Sequence, residues 1–112
     1  MRITAFWITG RSGSGKTTLA EKIAAQVEGV VIDGEKVRKD FNDDDFTPAG
    51  SRHHIERMVR IALNHERLGI IPVIAVVSRE KRFRKTMQSR FKNCVEIKLK
   101  GGTMWEGLEY ED

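Results

Sequence analysis

The chain has 112 residues, of which 39% are hydrophobic and 32% are charged, and its net charge is +4. This length fits one small domain, and this composition is typical of a folded protein rather than a disordered one. The single cysteine, Cys94, excludes an internal disulfide framework and suits a reducing compartment. The longest apolar run, residues 68–77, is far shorter than the ~20 residues of a membrane-spanning helix, and the first residues do not resemble a secretion signal. We therefore expect a cytoplasmic protein with no membrane partner.

The first half of the chain alternates predicted strands and helices. Residues 3–9 are β-branched and aromatic and end at Gly10, which predicts a buried strand. Apolar residues recur at helical spacing over residues 16–27. A second strand is predicted over residues 30–32, and a short helix over residues 35–41.

The second half continues the alternation. Thr47 and Pro48 are typical of an N-cap and a first helical residue, and the helix is predicted to run to Leu68, with Gly69 just beyond its end. The next predicted elements are a strand over residues 70–77 with Pro72 at its start, a basic helix over residues 79–91 capped by Ser78, and a strand over residues 95–99. Strands buried on both faces and separated by helices predict a parallel α/β sheet.

Residues 10–17 carry the strongest motif, because they match the phosphate-binding pattern G-x-x-x-x-G-K-[ST] without a mismatch. Glycines permit positive φ angles and a close approach to an anion, and the amides at a helix N-terminus attract phosphate. Lys16 is expected to reach the β- and γ-phosphates, and the Thr17 hydroxyl to bind Mg²⁺. The motif predicts an ATP·Mg²⁺ site formed by Gly10, Arg11, Ser12, Gly13, Ser14, Gly15, Lys16, Thr17 and Thr18.

The sequence resembles the adenylylsulfate kinases, which phosphorylate the 3′-hydroxyl of adenosine 5′-phosphosulfate. The glycine loop through Thr18 is similar to theirs, and residues 33–38 resemble their Asp-Gly-Asp segment followed by Val-Arg. Phe46-Thr47 and Arg52 resemble a Phe-Ser and an Arg of the family, one residue further apart here. Residues 74–78 resemble its strand ending in Ser-Pro, although Arg79 replaces the proline.

Two departures from the family pattern stand out. The asparagine that follows the family's Arg is missing, since His53 and His54 stand there. The family also continues past its fourth strand into a mobile lid, whereas only residues 100–112 follow Leu99. The resemblance implies a reduced P-loop kinase: a three-layer αβα domain over residues 1–100 with sheet order 2-3-1-4.

The acidic C-terminal tail, residues 101–112, begins at two glycines and has poor periodicity. Three alternatives are open for its Trp105 and Tyr110: docking on the body of the domain, docking on a partner chain, or staying loose. The two glycines and the poor periodicity favour a loose tail or order that depends on a partner. The sequence leaves open a homo-oligomer in which a second chain supplies the lid.

Asp33 is the best-placed carboxylate, because it follows the second strand at the sheet edge where α/β proteins bind ligands. It would accept the proton of the acceptor hydroxyl, which the resemblance favours, or hold Mg²⁺ through water; the alternative is a helix N-cap. Arg38 and Arg52 would clamp an anionic acceptor, or else lie exposed on helix surfaces. We therefore predict Lys16, Asp33, Arg38 and Arg52 as catalytic residues and Thr17 and Asp33 as metal ligands.

The remaining polar and aromatic candidates each have a structural alternative. Phe46 would stack on a base or pack on the core, and Ser78 would touch substrate or cap a helix. The histidines lack the partners of a zinc site, so a helix-surface position is expected for His53, His54 and His65.

The preferred function is transfer of the γ-phosphoryl group of ATP to a hydroxyl of a small anionic acceptor. One alternative is a nucleotide-binding module with little turnover, because the lid is missing. The other is an end-kinase on nucleic acid, which is not favoured but is prompted by the basic segment over residues 79–92. Within that segment, Arg79, Arg82 and Arg84 are candidates to replace the arginines of a lid.

Overall fold

The computed structural model describes residues 2–105 and 107–112 and contains one parallel sheet with helices on both faces. The strands are β1 Ala5–Thr9, β2 Val30–Asp33, β3 Pro72–Ala75 and β4 Cys94–Lys98, and the helices are α1 Lys16–Val27, α2 Gly34–Asp40, α3 Pro48–Arg67 and α4 Lys81–Gln88. The sheet order β2-β3-β1-β4 confirms the predicted P-loop topology. Within the described residues no helix is long and apolar enough to cross a membrane.

The central strand β1 is buried because it pairs with β3 on one side and with β4 on the other. Alternate side chains of β1 face opposite helix layers, as the two-residue period of a strand requires. Trp7 packs with Met58 of α3 in one core, and Ile8 packs with Ala20 of α1 in the other. All four side chains are fully buried. The predicted three-layer αβα arrangement is therefore confirmed.

The predicted ends of α3 are confirmed. Thr47 is the N-cap and accepts a hydrogen bond from the Gly50 amide at 3.1 Å, and Pro48 is the first helical residue. Beyond the C-terminus, Gly69 has a φ of 79°, a conformation that costs glycine little and other residues more.

The prediction for α4 is wrong in its bounds and in its cap. The helix covers only Lys81–Gln88, and Glu80 occupies the N-cap position. Ser78 lies three residues before the helix with a φ of 41°, and its hydroxyl accepts a hydrogen bond from Trp7 Nε1 at 3.1 Å. The chain therefore turns sharply at Ser78 after leaving β3, and only then enters the helix.

For the residues described, the favoured expectation of a loose or partner-dependent C-terminal tail is wrong, and the alternative of docking on the body is what occurs. Thr103 and Ser12 exchange two backbone hydrogen bonds of 2.9 and 3.0 Å, so the tail pairs with the glycine loop. Further along, Tyr110 is buried, and the Glu111 amide donates to the Arg79 carbonyl at 2.9 Å. The tail follows the carboxyl edge of the sheet.

Replacing Thr47 by alanine is predicted to lower the free energy of unfolding by about 1 kcal/mol, because the Gly50 amide loses its capping oxygen. Urea unfolding measures this change. Thr47→Ser keeps the hydroxyl and should stay close to the unmodified chain. Equal losses for the alanine and serine variants would show that the cap does not stabilise α3.

Candidate active site

A groove of about 550 Å³ opens at the carboxyl ends of β1, β2 and β3. The edge where parallel strands end is where α/β proteins place their ligands. Among the residues predicted as catalytic, ATP-binding or metal-binding, those that line it are Ser12, Gly13, Gly15, Lys16, Thr17, Thr18, Asp33, Arg38 and Arg52. Gly10, Arg11 and Ser14 belong to the same loop but are not among its lining residues. The structure thus brings the predicted phosphate and acceptor residues to one groove.

The phosphate loop, residues 10–17, has the backbone conformation that its glycines permit. Gly13 and Gly15 have φ angles of 79° and 94°, and Gly15 is the residue just before α1. No side chain caps the N-terminus of α1, so its first amides are open to an anion.

Lys16 lies over the phosphate loop. Its Nζ donates to the Arg11 carbonyl at 2.7 Å and to Ser14 Oγ at 3.4 Å. Burial lowers the pKa of the Lys16 ammonium, whereas the charges of Glu35 and Asp33 act to raise it. A cation that is partly removed from water is well suited to bind an anion.

Thr17 and Asp33 meet at the centre of the groove. The Thr17 hydroxyl donates to Asp33 Oδ1 at 2.7 Å, and Asp33 Oδ2 accepts from the Lys36 amide at 3.1 Å. The Asp33 carboxylate therefore caps α2 and also faces the start of α1. Asp33 is thus both a helix N-cap and a groove residue, two positions that were alternatives in the sequence analysis. Hydroxyl and carboxylate oxygens are ligands that suit Mg²⁺, which keeps most of its coordination for water and phosphate.

Arg38 is held inside the protein rather than exposed on α2. Its Nη1 donates to Asp43 Oδ1 at 3.2 Å and to the Asp45 carbonyl at 3.0 Å. The guanidinium carbon also lies 4.0 Å from the centre of the Phe46 ring, a cation–π distance. Arg38 therefore fixes the loop that carries Phe46, and Phe46 packs on Arg38 at the rim of the groove instead of entering the core.

Arg52 reaches the groove from the N-terminal part of α3 and forms a two-point ion pair with Glu80. Its Nε and Nη2 donate to the two carboxylate oxygens at 2.9 and 2.8 Å. The hydrogen bond from Arg52 lowers the pKa of Glu80, which keeps the carboxylate charged. The side chain of Arg52 remains 46% exposed, so it is accessible to an anion that replaces Glu80.

The surface position expected for His54 is wrong, whereas His53 is exposed as expected. The His54 ring is 4% exposed and lines the groove. Burial lowers its pKa to about 4, and the nearby charges of Arg38 and Arg57 add to the effect, while Asp43 opposes it. Arg57 Nη2 lies 3.2 Å from His54 Nδ1, and because a guanidinium only donates, the neutral ring carries its proton on Nε2.

The role of a lid arginine, considered for Arg84, is also wrong. Arg84 is fully buried and its NH groups donate to the Ser78 carbonyl at 2.6 Å and to Glu96 at 3.1 Å. Arg82 is exposed on α4 and does not line the groove. Arg79 does line the groove.

Glu80 and Trp105 are among the groove residues that sequence reasoning did not assign to the site. Glu80 follows the third strand closely, and that position at the sheet edge was a usable signal. Trp105 approaches Phe46 with a ring-centre distance of 5.0 Å, a contact between distant segments that no local pattern indicates.

Comparison with known proteins agrees with this geometry. Residues 2–100 match the family Adenylylsulphate kinase. The chain is 32% identical over 90 residues to an adenylyl-sulfate kinase of Paraburkholderia xenovorans, and 33% identical over 99 residues to one of Geotalea daltonii. These alignments cover 75% and 83% of this chain but 50% and 49% of the relatives. The chain thus spans about half the length of these relatives.

The fold is similar to that of an APS kinase of Mycobacterium tuberculosis, solved in complex with AMPPNP and APS. The TM-score is 0.76 at 22% identity, over 87% of this chain and 62% of that chain. At this level of identity, the similarity concerns the fold alone.

Protonation of His54 is predicted to destabilise the protein as the pH falls from 7 to 5. The unfolded chain binds this proton near pH 6.5 and the folded chain only near pH 4, so the stabilisation is present above pH 6.5 and is lost toward pH 4. The expected loss is about 2 kcal/mol between pH 7 and pH 5. Urea unfolding at several pH values measures it.

Two variants isolate this effect. His54→Gln should lose less stability over the same pH range, because glutamine does not titrate. His53→Gln, at the exposed neighbour, should follow the unmodified chain. If the slope with pH is the same for His54→Gln and for the unmodified chain, another group causes the acid sensitivity.

Proposed function

Because this chain belongs to the adenylylsulphate kinase family, we propose that it transfers the γ-phosphoryl group of ATP to a hydroxyl group of a small anionic acceptor. The acceptor that we propose is adenosine 5′-phosphosulfate. The observation that supports this most strongly is the hydrogen bond between Thr17, at the start of α1, and Asp33, at the end of β2. This hydrogen bond connects the end of the groove that would bind the phosphates to the end that would bind the acceptor.

At the phosphate end, the open amides of α1 and the ammonium of Lys16 are the groups that would bind the triphosphate. Lys16 would leave the Arg11 carbonyl and move onto the β- and γ-phosphate oxygens. Thr17 and Asp33 would hold Mg²⁺, directly or through water, and the bound ion would neutralise charge on the phosphates. Gly13 and Gly15 allow the backbone to follow the phosphate chain.

At the acceptor end, Asp33 is the carboxylate that would orient the attacking hydroxyl and accept its proton. Arg52 would bind an anionic group of the acceptor in exchange for Glu80. Arg38, whose guanidinium packs against Phe46, would bind the anionic acceptor from the other side of the groove. This arrangement favours an acceptor that carries negative charge at a distance from its reactive hydroxyl.

A nucleotide-binding module with little turnover is the alternative function. Both functions require ATP to bind in the groove. They differ in whether a phosphorylated product forms, so ATP binding and turnover have to be measured separately.

Lys16→Ala is predicted to weaken ATP binding roughly 10- to 100-fold, because a charge-assisted contact with the phosphates is lost. Isothermal titration with ATP and Mg²⁺ measures the change. Lys22→Ala serves as the matched control, since Lys22 is an exposed lysine of α1 that does not line the groove. Equal affinity in the Lys16 variant and the control would exclude the phosphate loop as the ATP site.

Asp33→Asn is predicted to lower kcat for acceptor phosphorylation by roughly 10²- to 10⁴-fold, while ATP still binds. Mass spectrometry of the products separates the possible acceptors: adenosine 5′-phosphosulfate, adenosine 5′-phosphate and a single-stranded oligonucleotide. We expect adenosine 5′-phosphosulfate to give the largest kcat/KM. ATP binding with no phosphorylated product would favour the binding module, and phosphorylation of the oligonucleotide alone would favour an end-kinase.

A further inference from the structure

The C-terminal tail contacts the phosphate loop at its start, although its sequence gives no reason to expect this. Tyr110, the single tyrosine of the chain, is 8% exposed, and its OH lies 2.8 Å from Thr9 Oγ1. Thr9 is the last residue of β1 and directly precedes Gly10, the first residue of the loop. A hydroxyl from the far end of the chain is therefore bound at the base of the loop.

The hydrogen bonds around Thr9 determine which hydroxyl donates. The Thr9 hydroxyl donates its one proton to the Val77 carbonyl at 2.7 Å. It can therefore only accept from Tyr110, which makes the phenol the donor. Burial raises the pKa of Tyr110, so the phenol keeps the proton that it donates.

The ring of Tyr110 makes a second connection to the loop. The guanidinium carbon of Arg11, the second loop residue, lies 5.2 Å from the ring centre, within the range of a cation–π contact. Arg84, fully buried, lies 5.1 Å from the same ring and donates to the Glu111 carbonyl at 2.9 Å. Arg84 thus holds the backbone next to Tyr110, and Tyr110 contacts the loop.

A backbone connection lies closer to the middle of the loop. The Ser12 amide donates to the Thr103 carbonyl at 3.0 Å, and the Thr103 amide donates back at 2.9 Å. Thr9, Arg11 and Ser12 thus contact the tail: Thr9 and Arg11 contact Tyr110, and Ser12 pairs with Thr103. Residues 13–15 follow directly and lead into Lys16 and the open amides at the start of α1.

We propose that Tyr110 is a positioning residue of the phosphate site, which acts through Thr9 and Arg11 to hold the loop in its phosphate-binding conformation. This inference rests on the proposed function, since it requires that the loop binds a triphosphate. A loop that is already ordered loses less conformational entropy when phosphate binds, and its affinity is higher for that reason. Tyr110 itself makes no contact with the phosphates in this scheme.

The test compares hydroxyl deletions at the two ends of the Tyr110–Thr9 hydrogen bond. Tyr110→Phe should bind ATP and inorganic tripolyphosphate roughly three- to tenfold more weakly than the unmodified chain, the effect of one buried neutral hydrogen bond. Thr9→Val also removes the hydrogen bonds to Val77 and Ser78, so its affinity should fall at least as far. Tripolyphosphate is the probe because it contacts only the phosphate site. Thr9→Ser keeps the hydroxyl and should restore the affinity. Thr86→Val, which removes an exposed hydroxyl of α4, is the matched control and should bind as the unmodified chain does.

A second measurement leaves both hydroxyl groups in place. Replacing the single tyrosine by 3-fluorotyrosine gives one ¹⁹F resonance, which should shift as tripolyphosphate saturates the site. The inference is overturned if that resonance does not move, or if folded Tyr110→Phe keeps the affinity of the unmodified chain, whatever the affinity of Thr9→Val. If the unmodified chain binds neither ATP nor tripolyphosphate, the proposed function itself fails, and this inference fails with it.

Discussion

The position of the phosphate loop depends on the end of β1, where Thr9 is fixed before the loop begins. Its hydroxyl has three partners within 2.8 Å, Val77, Ser78 and Tyr110, and its carbonyl accepts from the Leu99 amide at 2.9 Å. Because β1 is central and buried, this end of the strand cannot shift without disturbing both neighbours. The loop therefore starts from a rigid base and returns directly into α1, whose open amides face the groove.

The cations of the groove are already bound to acceptors of the protein. Lys16 donates to the Arg11 carbonyl, Arg38 to Asp43 and Arg52 to Glu80. An anionic ligand would exchange one set of hydrogen bonds for another, so the gain in free energy is smaller than the number of its contacts suggests. The benefit is geometric: the side chains stay near the groove in defined conformations, and only a ligand with well-placed negative charges can replace their partners.

Local sequence signals predicted most of the fold and the phosphate end of the site. Glycine spacing predicted the phosphate loop at residues 10–17, helical periodicity predicted α1, and the Thr47–Pro48 pair predicted the start of α3. Each of these features depends on residues that are neighbours in the chain. The errors fall where distant segments meet. Ser78 accepts a hydrogen bond from Trp7 instead of capping α4, and His54 is buried close to Gly34 at the start of α2. Tyr110 docks on a residue 101 positions earlier, which no periodicity encodes.

The central claim is that residues 10–17 bind the phosphate chain of ATP, and ³¹P NMR of ATP with Mg²⁺ tests it most directly. Titrating the folded chain into the nucleotide should shift or broaden the β- and γ-phosphorus resonances. Adding excess inorganic tripolyphosphate should return them to the positions of free ATP. If all three phosphorus resonances keep their free positions and widths at a saturating concentration of the chain, the groove is not a nucleotide site, and the kinase and the binding module are both excluded.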